Sequence, residues 1–194
     1  MTATREDICN YARSLAGLSA DPADELTRRV YLDTVAPGEA PARAAEMALM
    51  SGCALTCRAI LRRFIVHPIL DRPYNDRQAV SDVARIAHQA AAYRLRNVAP
   101  EAGDMLIVGG GEDGGGPEHA WTALSCVADP GYEVAPGYLL DGLDGGQRTE
   151  DAGQHQCIVE RAHELRDGWD ITATYRRRVR YVIDVMTIVG RFGR

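Results

Sequence analysis

The chain changes texture once, at Pro100, and this limits its fold more than any other feature. Up to about residue 98, apolar residues recur at helical spacing; from about 103 to 190 they alternate or run in short blocks between Gly, Pro and Asp turns. Helices first and an antiparallel sheet afterwards is an α+β order. At 194 residues the chain fills one domain, 1–194, rather than two.

Four helical segments precede the change. "TREDICNYARSLAG" sets Ile8, Tyr11, Ala12 and Leu15 on one face and ends at Gly17. "DPADELTRRVYLDTV" is opened by Asp21 as a cap and stopped by "APGEAP". "ARAAEMALMSGCALTCRAILRRF" keeps a helical period throughout, and "NDRQAVSDVARIAHQAAAYRL" is amphipathic. The strands expected after Pro100 are "GDMLIVGGG", "HAWTALSCVA", "YLLDGLDG", "QCIVERAHEL" and "RRVRYVIDVMTIVG". Between the first two, "GGGEDGGG" lacks the Gly-Lys-Ser/Thr ending of a phosphate-binding loop and reads as a mobile loop.

Charge narrows the partners. The net charge is −5, and the one basic run, "YRRRVRY", alternates as a strand with its arginines toward solvent, so no nucleic-acid partner is expected. Every basic residue is arginine, which fits codon bias rather than a binding surface. The N-terminus shows no basic-then-apolar leader, and no apolar run approaches the roughly 18 residues that span a bilayer. The expectation is a soluble chain, cytoplasmic as synthesised and without a membrane span. Five cysteines without framework spacing argue against a disulfide scaffold and for a reduced setting.

Two stretches carry chemistry. In "GGPEHAWTA", His119 stands at the mouth of a strand, either as a surface imidazole or as a base awaiting a nucleophile. In "SGCALTCRAIL", Ser51-Gly52 is a weak point at which a helix can begin, with Cys53 in its first turn. There the positive end of the dipole favours the thiolate. Cys57 lies one turn further on, where that benefit has largely gone. The competing reading is structural: Met47, Met50, Cys53 or Ala54, Cys57, Leu61 and Phe64 trace one apolar face of an unbroken helix, with both cysteines in the core. A zinc site from Cys53, Cys57 and His67 or His119 lacks the second tight ligand pair, so neither metal nor cofactor is expected.

The order of these parts resembles a papain-like thiol hydrolase in its small microbial form. "GDMLIVGGGEDGGGPEHAWTAL" is similar to the segment of NlpC- and CHAP-type cysteine peptidases and amidases in which Gly-Asp opens one strand and the catalytic His the next. "SGCALTCRAILR" is similar to their nucleophile helix. The resemblance spans roughly residues 50 to 185. The stretch "ADPGYEVAPG" departs from it, and the first 40 residues have no counterpart. It implies a papain-like fold, with N-terminal helices (about 1–98) packed on a C-terminal antiparallel sheet (about 103–190). It also implies Cys53 as nucleophile, His119 as general base and acid, and an orienting residue on the strand after the histidine. In "YLLDGLDGGQ" that residue is Asp144, with Gln147 and then Asp141 as alternatives.

On that reading Cys53 attacks an amide carbonyl and water resolves the thioester. The Cys53 N–H is one oxyanion donor; for the second, Tyr31 and Tyr74 are conceivable. His155 and His163 read as exposed strand or turn residues. His67 reads as an imidazolium at a helix end, His88 as structural, and Trp121 and Trp169 as packing, with a wall of the cleft as the alternative for Trp121. The resemblance implies a peptide or amide substrate, above all the peptides of bacterial cell walls. A chain without a leader would reach them as a toxin or effector, through a phage, an injection apparatus or lysis, with an immunity protein as partner; otherwise it acts on a cytosolic amide. Two alternatives stay open: a non-catalytic binding or structural module with Cys53 buried, and a thiol acyltransferase or deamidase.

Overall fold

A computed structural model describes all of the chain except residues 1–2, 72–78, 95–97, 110–116, 132–136, 149–155 and 172–176. The element order is α1 (Arg5–Ser14), α2 (Glu25–Val35), α3 (Pro41–Phe64), α4 (Ala79–Ala90), β1 (Tyr93–Arg94), β2 (Met105–Gly109), β3 (Pro117–Ala128), β4 (Gly137–Arg148), β5 (Gln156–Arg166), β6 (Trp169–Asp170), β7 (Arg177–Ile183) and α5 (Val185–Phe192).

The helices-on-a-sheet, papain-like packing is not what forms. The strands run β1-β7-β2-β3-β4-β5-β6, all neighbours are antiparallel, and β7 also pairs with β6. That last pairing, Trp169 with Arg178 and Asp170 with Arg177, closes six strands into a barrel with the helices outside. Closure removes the two free edges that an open sheet would expose.

Alternation along each strand then builds two cores. Leu106, Val108, Trp121, Ala123, Leu140, Leu165, Val179 and Val182 pack inside the barrel. Met105, Ile107, Ala120, Leu124, Leu143, Ile158 and Ile183 face outward and pack against the helices. The outer layer is the larger apolar body, and at roughly 25 cal/mol per Å² of buried apolar surface it is the main force holding the helices on the barrel.

Several boundaries differ from the sequence expectations. Asp24 rather than Asp21 caps α2, because its carboxylate accepts from Thr27 N–H while Asp21 accepts from Ala23 N–H. The last expected strand ends at Ile183, where Asp184 accepts from the N–H groups of Met186 and Thr187 and starts α5. The glycine-rich segment 110–116 lies outside the described residues. Asp104, which opens β2 after the left-handed Gly103 (φ 90°), is fully buried and accepts from Arg5 Nη1 at 2.8 Å and from Glu101 N–H at 2.9 Å. It ties α1 to the start of the sheet.

Candidate active site

Helix α3 crosses the outside of the barrel and is bent, its arms Pro41–Ala48 and Gly52–Phe64 meeting at 112°. The break falls beside the Ser51-Gly52 pair, a kind of step at which helices kink, and Thr56 Oγ1 donates to the carbonyl of Gly52 at 2.8 Å within the second arm. The bend puts Cys53 in the first turn of the second arm. Both local readings of this segment therefore hold in part, since the helix runs on from Pro41 and yet restarts at Gly52.

The second arm is pinned from both sides. Arg58, 1% exposed, reaches Asp82 Oδ2 at 3.2 Å and the carbonyls of Ile69 and Leu70. On the other side lies the Gly145-Gly146 pair, whose glycines have the composition of a turn. It is a bulge inside β4: Asp144 faces Val159 and Gln147 faces Cys157, so two residues of β4 oppose Ile158 alone. A β-carbon on Gly145 would fall 2.0 Å from Thr56 Oγ1, and one on Gly52 2.6 Å from Gly146 Cα. Gly146 itself has φ 71°. Glycine at these positions is what lets strand and helix touch beside Cys53.

That contact carries the residues together. Val108 lies opposite His119, Leu106 opposite Trp121, and Trp121 opposite Asp144, which turns His119 and Asp144 to the barrel interior. His119 Nε2 lies 2.6 Å from Asp144 Oδ1. The Cys53 thiol interacts with the same imidazole, each favouring the charge on the other. Cys53 and His119 are each 8% exposed.

The electrostatics follow from these contacts. Burial pushes the Cys53 thiol up, but the His119 hydrogen bond and charge, with the N–H groups of Ala120 and Ala54, outweigh it and leave the thiol below its ordinary value. Burial opposes the charge on His119, yet Asp144 and Cys53 raise it to about 9. Asp144 is held far below the usual carboxylate range: burial opposes this, and hydrogen bonds from His119 and His163 overcome it. Cys57 behaves oppositely. It is core, its sulfur 3.9 Å from Thr122 Oγ1, and burial raises its thiol strongly.

The alternatives to Asp144 fall elsewhere. Asp141 is exposed on the outer face of β4 and accepts from Ser125 Oγ at 2.8 Å. Gln147 pairs with Cys157 beyond the bulge, and its side chain is outside the described residues, as are Tyr74 and His155. Tyr31 is fully buried, its hydroxyl has no hydrogen-bond partner among the described residues, and a β-carbon on Gly52 would sit 3.4 Å from it. Burial, then Cys157 and Cys53, push its phenol far up, so it remains a donor.

His67 is not a helix-end imidazolium: Nδ1 accepts from Ile69 N–H at 3.2 Å, which leaves Nε2 to donate to Gln89 Oε1 at 2.8 Å. Trp121 packs, filling the barrel interior, and is no cleft wall. His163, expected to be exposed, is 5% exposed and bonds to Asp144 and Asp170. Its signal was present in the sequence, since His163 and Leu165 alternate with Glu164 and Arg166 as an inward pair would. Among the described residues, no three His, Cys, Asp or Glu side chains converge as a metal-ligand set, and no single helix is long and apolar enough to cross a membrane.

The chain matches no protein-family model, no curated protein and no solved structure.

Proposed function

We propose that the chain is a cysteine hydrolase that opens peptide or amide bonds, with Cys53 as nucleophile, His119 as proton carrier and Asp144 as orienter. One observation carries the reading: a buried thiol is lowered by an imidazole whose Nε2 lies 2.6 Å from a buried carboxylate. A structural cysteine needs no such imidazole, and Cys57, four residues on, lies against Thr122 instead with its thiol raised rather than lowered.

In the resting site the thiol proton lies on His119, whose Nε2–H is held by Asp144. Cys53 Sγ attacks the carbonyl carbon, and the carbonyl π pair moves onto oxygen. Collapse of that adduct breaks the C–N bond as the imidazolium gives its proton to the leaving nitrogen, and a thioester remains. His119 then takes a proton from water, the hydroxide displaces Cys53, and the thiolate–imidazolium pair is restored. The oxyanion is met by the Cys53 N–H, at the start of the second arm, and by the Tyr31 hydroxyl.

The resemblance of the Cys53 and His119 segments to NlpC- and CHAP-type hydrolases supplies the substrate class, the short peptides of bacterial cell walls. The test is incubation with a panel of wall peptides and simple amides, read by mass for products and for an acyl group on Cys53. Cleavage with addition of one water, lost in Cys53→Ala, is the expected result. Acyl transfer to an added amine in place of water would make the protein a transferase. Failure of every substrate to acylate a reactive Cys53 would overturn the amide reading.

A further inference from the structure

The polar line does not end at Asp144. One residue from each of four successive strands crosses the barrel interior: His119 on β3, Asp144 on β4, His163 on β5 and Asp170 on β6. His163 Nε2 lies 3.1 Å from Asp144 Oδ2, and its Nδ1 lies 3.0 Å from Asp170 Oδ2. We propose that His163 is a positioning residue held as a permanent imidazolium, and that with Asp170 it fixes the carboxylate that orients His119. The inference rests on the Cys53–His119–Asp144 reading above.

The reason is hydrogen-bond valence. An ionised carboxylate oxygen only accepts, and a neutral imidazole has a single N–H, so a ring with a carboxylate at each nitrogen is satisfied only when both nitrogens carry hydrogen. All three side chains are buried: His163 at 5%, Asp144 at 1% and Asp170 at 3% exposed. An unmatched pair of carboxylates there would be strongly unfavourable.

The surroundings are shaped for the cation. Trp121 lies flat on the His163 ring, centroids 3.8 Å apart and planes 8° from parallel, and an indole face attracts positive charge. Gly142 makes room for the stack, since a β-carbon there would fall 2.7 Å from both His163 Cδ2 and Trp121 Cε3. From the packed elements, Asp144 of β4 and Asp170 of β6 are the groups that favour the charge on the ring, β3 stacks the neutral indole on it, and His119 of β3 holds the other oxygen of Asp144. Burial opposes the charge on His163, and the two carboxylates override it.

With Oδ2 tied to His163, Asp144 cannot rotate Oδ1 away from His119. Loss of the cation would loosen that aim and remove a positive charge from the field that favours the Cys53 thiolate. Isotope-labelled histidine in the wild-type protein reads the first half of this directly. Both His163 ring nitrogens should carry hydrogen up to about pH 8, where an ordinary imidazole is neutral. His163→Gln reads the second half, raising the pH midpoint of Cys53 alkylation by about 1 unit. A neutral His163 tautomer at about pH 8, or an unshifted Cys53 midpoint in a folded His163→Gln protein, would overturn the proposal. If wild-type Cys53 proves indifferent to His119, the hydrolase reading fails by itself, and the nitrogen spectrum still decides the charge on His163.

Discussion

Gly146 lies against the backbone nitrogen of Cys53: a β-carbon on it would sit 2.9 Å from that nitrogen and 3.1 Å from Gly52 Cα. The barrel thus touches the nucleophile's own N–H, the group assigned to the oxyanion. Because Gly146 is also left-handed at φ 71°, Gly146→Ala meets backbone strain and a clash together. A loss of about 1–3 kcal/mol is expected in denaturant unfolding. Activity should fall further than stability, because the displaced atoms are those beside the thiol.

Tyr31→Phe should separate activity from stability. The hydroxyl is buried without a partner among the described residues, so its removal trades an unsatisfied polar group for an apolar one of the same shape. Unfolding free energy should stay level or rise, while kcat falls by about 10²–10³ if the hydroxyl meets the oxyanion. Thermal melts beside single-turnover acylation check both signs. Equal kcat in the two proteins would remove Tyr31 from the mechanism.

Protonation sets the working range. The thiolate forms below the usual cysteine value, and His119 keeps its proton to about 9, so rate should fall at the alkaline side as pH passes about 9. The same group bears on stability. Its folded pKa lies above the unfolded 6.5, so its contribution is complete below 6.5 and is lost as pH rises through about 9. Asp144 has the opposite sign: its contribution is present above 3.8 and is lost as pH falls below it.

Asp144→Asn removes the carboxylate that raises His119 and leaves His163 facing Asp170 alone. The alkaline limb of the rate profile should move down toward the ordinary imidazole range, and kcat should drop by up to about 10⁴. The variant should also lose on the order of 3–5 kcal/mol, as breaking a buried charge network does. An unchanged alkaline limb would mean that Asp144 does not act on His119.

Local structure was legible in the sequence, and long-range closure was not. Helical spacing placed α1, α3 and α4, and the glycine before Cys53 marked the point where α3 restarts. Barrel closure rests on the two-residue β6 meeting β7, a pairing of Trp169 and Asp170 with residues that nothing nearby announces. Gly145-Gly146 carries the composition of a turn, and only the register of β4 on β5 makes it a bulge. His163 was missed for a related reason. Its alternation with Glu164 and Arg166 puts it on one face of β5 with Leu165, and only barrel closure makes that face the interior.

The most direct measurement is iodoacetamide labelling of the folded protein across pH, each cysteine read by peptide mass, in the wild type and in His119→Ala. Cys53 should label ahead of Cys57, with a midpoint below the ordinary cysteine value of about 8.5, and His119→Ala should raise that midpoint. Labelling of Cys53 no faster than Cys57, and unaltered by His119→Ala, would contradict the thiolate–imidazolium pair and leave Cys53 a core residue of a binding or structural module.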